Sequence, residues 1–201
     1  MVKPILFNAE MVRAILDGRK TVTRRVVKPQ PEMHMFGDHE ALAWLPPALI
    51  KGYLAVGVKY TEYLKKPCRP GDVLWVRETW CEYIADHVID GVKYAYRADT
   101  SAESERFRKE LGYKWRPSIH MPREAARIFL RVTDVRVERL RHITRDGAIA
   151  EGCNAAIPVL EFQGLWDSTI KPADRDRYGW AANPFCWVIS FDKISKDEAM
   201  Q

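Results

Sequence analysis

The apolar positions change their period along the chain, and each change marks an element. Lys3-Pro4-Ile5-Leu6-Phe7 is a short extended run, and Asn8 follows as a helix N-cap with Glu10 in the first turn, where a carboxylate suits the helix dipole. Met11, Val12, Ile15 and Leu16 then recur at helical spacing, and Gly18 supplies the left-handed residue on which such a helix ends. Lys20 to Val27 is rich in β-branched residues and reads as a strand. It would set Thr21, Thr23 and Arg25 on one face and Val22, Arg24 and Val26 on the other. The turn Pro70-Gly71-Asp72 opens a second strand, Val73 to Trp80, the most apolar in the first half. Tyr94-Ala95-Tyr96 predicts a short strand, Ser101 to Leu111 a solvated helix capped by Ser101, and Trp115 to Pro122 an extended segment held by its prolines. Ala126 to Leu140 reads as two strand pieces, with Ile128, Leu130 and Val132 alternating before Val135 and Val137. Thr144 starts a helix that reaches Glu151 and closes at Gly152. A helix over Leu160 to Ile170 and a last strand over Phe185 to Phe191 complete the pattern.

Two stretches, 28–69 and 81–120, interrupt this order and read as insertions. Pro29, Pro31, Pro46 and Pro47 break the first, leaving at most one helical turn over Ala41 to Leu45. No internal repeat, low-complexity tract or charged tail is evident. Many short strands around few helices predict an α+β fold, a small mixed β-barrel flanked by a few helices and not a parallel sheet. A length of 201 residues suits a single domain, 1–201, with one sizeable core.

Composition adds little to this picture. The chain is 47% hydrophobic and 29% charged, which is ordinary globular composition. A net charge of +5 is compatible with phosphate-bearing partners without demanding them. The apolar runs are too short to span a bilayer, and the N-terminal one is too short for a signal peptide, so a cytoplasmic protein with no membrane partner is expected. Cys68, Cys81, Cys153 and Cys186 are widely spaced and read as free, partly buried thiols. None of the five histidines (His34, His39, His87, His120, His142) stands at metal-ligand spacing, and His34 and His39 fall in an expected loop. No metal or other cofactor is expected.

The segment Ile15 to Arg25 carries the clearest candidate chemistry: a helix end, a glycine turn, then a strand opening with a lysine and two hydroxyls. Two readings of Lys20 stand side by side. Its amine, partly desolvated, would serve as a base for Thr23 Oγ on the same strand. Alternatively it is a solvated cation beside a helix C-terminus, where positive charge is favourable. The tryptophans Trp75, Trp80, Trp115, Trp166, Trp180 and Trp187 mostly read as core or lid packing. Trp80 and Trp115 have basic and polar neighbours and are the better candidates for stacking on a base. His120 either reaches a pocket or is structural. Arg123, Arg127, Arg131, Arg136, Arg139 and Arg141 form either a solvated outer face, which is preferred, or a track for a phosphate backbone.

The pattern G-x-K-T-x-x-x-R at Gly18, Lys20, Thr21 and Arg25 resembles the N-terminal signature of ASCH domains, a group within the PUA-like superfamily. The later Gly71-Asp72-Val73-Leu74-Trp75-Val76 and the closing Cys186-Trp187-Val188-Ile189-Ser190-Phe191 are similar to two further elements of that group, in its order. Trp75 to Trp80 and Trp115 to Ser118 look like a longer phage- and prophage-type branch. The resemblance implies a PUA-like fold and association with RNA or a modified nucleoside. Some short bacterial members remove the acyl group from N4-acetylcytidine with a lysine, a threonine three residues on and a glutamate in a later helix. Here these are Lys20, Thr23 and Glu151. Many ASCH proteins carry glutamate where Thr23 stands, so threonine favours the hydrolase branch. The implied function is a metal-independent amidohydrolase of N4-acylated cytidine, with Thr21, Arg25, Arg77, Trp80, Trp115 and His120 as substrate-binding candidates. The competing readings are a non-catalytic module for RNA or a modified base and, ranked last because paired histidines are lacking, a ribonuclease.

Overall fold

The computed structural model describes residues 2–30, 34–36, 39–41, 66–83 and 93–200. In chain order its strands and α-helices are β1 (Val2–Leu6), α1 (Ala9–Leu16), β2 (Val22–Val26), β3 (His34–Phe36), β4 (His39–Ala41), β5 (Val73–Arg77), β6 (Trp80–Glu82), β7 (Tyr94–Tyr96), α2 (Ala102–Glu110), β8 (Phe129–Arg139), α3 (Arg145–Ala150), α4 (Pro158–Thr169), α5 (Arg175–Tyr178), β9 (Phe185–Ile194) and α6 (Lys196–Met200). Five strands follow the hydrogen-bonded order β1-β5-β8-β9-β2, and β3-β4 and β6-β7 form two small ladders. The fold is therefore α+β around a mixed sheet. That sheet is not closed into the expected barrel: β1 and β2 stand at the two ends of its order, and closure requires the end strands to pair with each other.

The chain divides into two compact units, drawn from Met1–Thr21, Pro70–Val132 and Phe191–Gln201 in the first and Val22–Arg69 and Thr133–Ser190 in the second. The long strands β8 and β9 each run through both.

In the first unit, β1 lies parallel to β5, from Val2 opposite Val73 to Leu6 opposite Arg77. The start of β8 lies antiparallel on the other side of β5, with Val73 opposite Arg131 and Trp75 opposite Phe129. Gly71 makes the turn into β5 at φ +87°, and its N–H donates to Val132 O at 2.8 Å. α1 starts where Asn8 Oδ1 accepts from Met11 N at 2.8 Å. The core gathers Trp75, Trp80, Met121, Ala125, Ala126, Phe129 and Ala199. Ser101 caps α2 as its position predicts.

In the second unit, β2 lies antiparallel to β9, from Val22 opposite Ser190 to Val26 opposite Cys186. Thr144 caps α3 by accepting from Gly147 N at 3.0 Å, and Gly152 at φ +98° follows its end. Leu140, Ile143, Ala148, Cys153, Phe162, Trp166 and Cys186 form the core. Trp166 donates its indole N–H to Tyr178 O at 2.8 Å, so its ring is buried with its polar edge satisfied.

Four local expectations change. Ala126 to Leu140 is one strand with a 3-10 turn at Leu140–His142, because the polar Thr133-Asp134 pair is exposed and leaves the ladder unbroken. Val73 to Trp80 is two strands: β5 ends at Arg77, Glu78 turns inward, and Trp80 pairs with Tyr96 in a separate ladder. Trp115 to Pro122 contains a 3-10 turn at Ser118–His120, whose geometry a preceding proline permits. His34 and His39 lie in the β3-β4 ladder and not in a loop, with His34 opposite Ala41 and Phe36 opposite His39, since backbone pairing is indifferent to these side chains. The helical turn expected over Ala41 to Leu45 lies outside the described residues except for Ala41, which is in β4.

All four cysteines are buried free thiols, and burial pushes Cys186 up to about 12. We expect a colorimetric disulfide reagent to titrate none of them in the native protein at pH 8 and all four in denaturant.

Candidate functional site

The sequence between α1 and β2 sets the first element of the site. Gly18 takes φ +75°, the chain reverses, and Lys20 N donates to Ala14 O at 2.9 Å. This backbone bond turns Lys20 inward. Its side chain is only 2% exposed, and its Nζ lies 5.8 Å from the centre of the Phe7 ring. Phe7 is held in turn by its N–H to Arg77 O at 3.1 Å and by a tilted contact with Phe191 at 6.4 Å. Of the two readings of Lys20, the solvated cation is excluded. Thr21 is exposed, and its carbonyl accepts from Phe191 N at 2.9 Å.

Within the second unit, Thr23 is buried opposite Ile189 and Arg24 is buried opposite Val188. Arg24 Nη1 lies 3.2 Å from Glu151 Oε1 and Nη2 lies 3.4 Å from Glu138 Oε2. The Arg24 guanidinium stands 5.8 Å from the centre of the Phe162 ring. Its Nε is buried with no hydrogen-bond partner among the described residues. Glu151 is the C-cap of α3 and is 3% exposed. A carboxylate so placed is oriented by the guanidinium and withdrawn from water. Arg25 is half-buried opposite Trp187, and burial pulls its guanidinium below the ordinary value against the opposing pull of Glu151. The sequence reading overlooked Arg24 and Glu138. A signal was present for Arg24: it alternates with Val22 and Val26, and an arginine between two inward valines must be met by acid.

The other expected substrate-binding residues lie in the first unit and are engaged in several different contacts. Arg77 donates from Nε to Met121 O at 3.1 Å and from Nη2 to Ile119 O, and its guanidinium lies 5.3 Å from the Trp75 ring centre. It therefore fastens the 118–121 segment to β5. Trp80 belongs to the hydrophobic core at 2% exposure, edge-on to Tyr94 at 5.7 Å, with Arg116 at 5.0 Å from its ring. Trp115 donates from Nε1 to Glu105 Oε2 at 3.1 Å and carries Arg108 at 5.0 Å from its ring. His120 is exposed at the end of its 3-10 turn.

A second ionic group, built on a buried glutamate, was not foreseen. Glu78 is 1% exposed and takes two hydrogen bonds from Arg127, from Nε at 2.8 Å and Nη2 at 3.0 Å. Asp99 accepts from Nη1 of the same guanidinium and from its Nη2 at 3.2 Å. The plane lies 4.0 Å from the Tyr96 ring centre, and Tyr96 OH donates to Ala125 O at 2.7 Å. Burial pushes Glu78 above the usual carboxylate range, with Arg127 opposing, and pushes the Tyr96 phenol up to about 12. The carboxylate oxygens of Glu78 and Asp99 all meet Arg127, so the group reads as a fastening of the 78, 96–99 and 127 segments.

Among the described residues no group of three His, Cys, Asp or Glu side chains could hold a metal ion, and no helix is long and apolar enough to cross a membrane. No protein-family model, curated protein or solved structure matches this chain.

Removing Arg24 takes from the buried Glu151 its 3.2 Å ion pair and from Glu138 one of its two arginine contacts. Arg24→Met should lower unfolding free energy by about 3–5 kcal/mol in urea titration. Because Tyr96 keeps its proton in the folded state until about 12, the unfolded chain releases it first as pH rises from about 10, and stability falls across that window. We expect Tyr96→Phe to flatten the fall of the urea midpoint between these pH values.

Proposed function

We propose that the chain is an ASCH-type amidohydrolase that removes the acyl group from N4-acylated cytidine. The observation that carries the reading is burial. Lys20, Thr23 and Glu151, the residues at the resembling positions, are 2%, 3% and 3% exposed. Lysine and glutamate are rarely this buried, and buried ionisable groups concentrate at functional sites.

In this reading Lys20, kept partly neutral, takes the proton of Thr23 Oγ or of a water that Thr23 orients. The freed oxygen adds to the acyl carbonyl, and Arg25 offers its guanidinium to the developing oxyanion. Collapse breaks the bond from carbonyl carbon to N4, and the proton returns to the departing exocyclic amine with Glu151 assisting. Water then releases the acid if Thr23 has been acylated. Arg24 orients Glu151 by the 3.2 Å ion pair. The chemistry calls on side chains alone.

The same ion pair also favours a second reading, since a glutamate held by a buried arginine serves equally in a module that binds a modified base without turning it over. The two are separated by incubating the purified protein with N4-acetylcytidine and following cytidine by chromatography. Turnover is expected from the wild type, with losses on the order of 10²-fold or more in Lys20→Ala and Thr23→Ala. A folded wild type that leaves several N4-acyl cytidines intact would favour the binding module instead, which RNA binding at varied salt then tests.

A further inference from the structure

The second unit contains an open hollow of about 640 Å³, lined by Val137, Glu138, Arg139, His142, Asn183 and Phe185 among others. Its size is in the range of small-molecule sites. Two segments build it and are locked together. Leu140 N donates to Pro184 O at 2.9 Å, Arg139 Nη1 donates to Asn183 O at 3.1 Å, and Asn183 Oδ1 accepts from Arg141 N at 2.8 Å. Asn183 is the one non-glycine residue with positive φ, +48°, among the described residues. On the far side, Gln30 braces Phe185, accepting from its N–H at 2.7 Å and donating to its carbonyl at 3.1 Å.

The polar groups in the hollow differ in what they have left to offer. Glu138 is spoken for: Oε1 accepts from Arg136 Nε at 2.6 Å and Oε2 faces Arg24 at 3.4 Å. Arg139 lies 3.8 Å from the centre of the Phe185 ring and uses Nη1 on Asn183, which makes it a flat cationic plate on a rigid aromatic base. His142 is exposed at the rim. An aromatic ring stacks on a guanidinium plane, and an anion seeks that guanidinium's edge and an imidazole N–H. Val137 and Phe185 supply the apolar remainder.

We propose that this hollow binds a nucleoside 5′-monophosphate, the base lying on the Arg139 plate and the phosphate meeting His142 and the guanidinium edge. The hollow shares no residue with the proposed amidohydrolase set, and Glu138 in its lining touches that set through Arg24.

Calorimetric titration of the full chain with AMP and GMP tests it, beside adenosine and inorganic phosphate alone. Saturable binding of AMP or GMP is expected, with adenosine and phosphate each weaker by about tenfold or more. Arg139→Lys keeps the charge and loses the plate, and His142→Ala removes one donor. Each should weaken AMP by roughly tenfold while leaving any turnover of N4-acetylcytidine unchanged. Circular dichroism melting certifies folding, and if Arg139→Lys unfolds, His142→Ala decides. Absence of AMP and GMP binding at millimolar concentration would overturn the proposal, as would AMP binding that neither substitution weakens, or adenosine binding as tightly as AMP.

Discussion

A guanidinium withdrawn from water needs acid around it, and in the second unit Arg24 makes that demand from the middle of β2. Glu151, at the end of α3, and Glu138, near the end of β8, answer it at 3.2 and 3.4 Å. The sheet already aligns β2 and β8 through β9, but α3 packs against them through an apolar core, which fills space without specifying one alignment. A charge with two carboxylates does specify one. It requires α3 to end where Glu151 can reach β2, and Thr144 and Gly152 set the start and end of that short helix accordingly. Cys186, on the strand beside β2, experiences the same cluster, and burial outweighs the pull of Arg24 in raising its thiol.

The first unit uses the same device. Glu78 stands where β5 stops, and the fork of Arg127 closes on it in two parallel hydrogen bonds while also holding Asp99. Tyr96 supports the plane from below. The break that ends β5 is thus tied to a buried acid, and the strand that resumes at Trp80 joins a different ladder. A bulk count of Arg and Glu would assign these residues to a solvated face; burial assigns them to fastening.

The arginines of β8 and its flanks show how one residue type divides its roles by position. Arg123, Arg131, Arg136 and Arg141 are exposed, as the solvated-face reading expects. Arg127 is part of the clamp and Arg139 lies on Phe185. Parity along β8 does not divide them, since Arg131 and Arg139 are an even number of residues apart; what each meets in space does.

What the chain determined by itself is what depends on neighbours in sequence. Asn8, Ser101 and Thr144 cap helices because a side-chain oxygen three residues before an amide is enough, and Gly18, Gly71 and Gly152 take positive φ because no Cβ opposes it. The strands over Val22–Val26, Tyr94–Tyr96 and Phe185–Ile194 were equally legible from their β-branched and aromatic runs. Lys20 and Thr23 were visible as one of two readings of their segment, and Glu151 only through a resemblance. Their burial, the pairing of Arg24 with Glu151 across 127 residues and the clamp of Glu78 by Arg127 across 49 were decided by tertiary structure alone. The reason is that a charged side chain has the same local preferences whether it ends in water or against a distant partner. Only the packing of strands far apart in sequence determines which it meets.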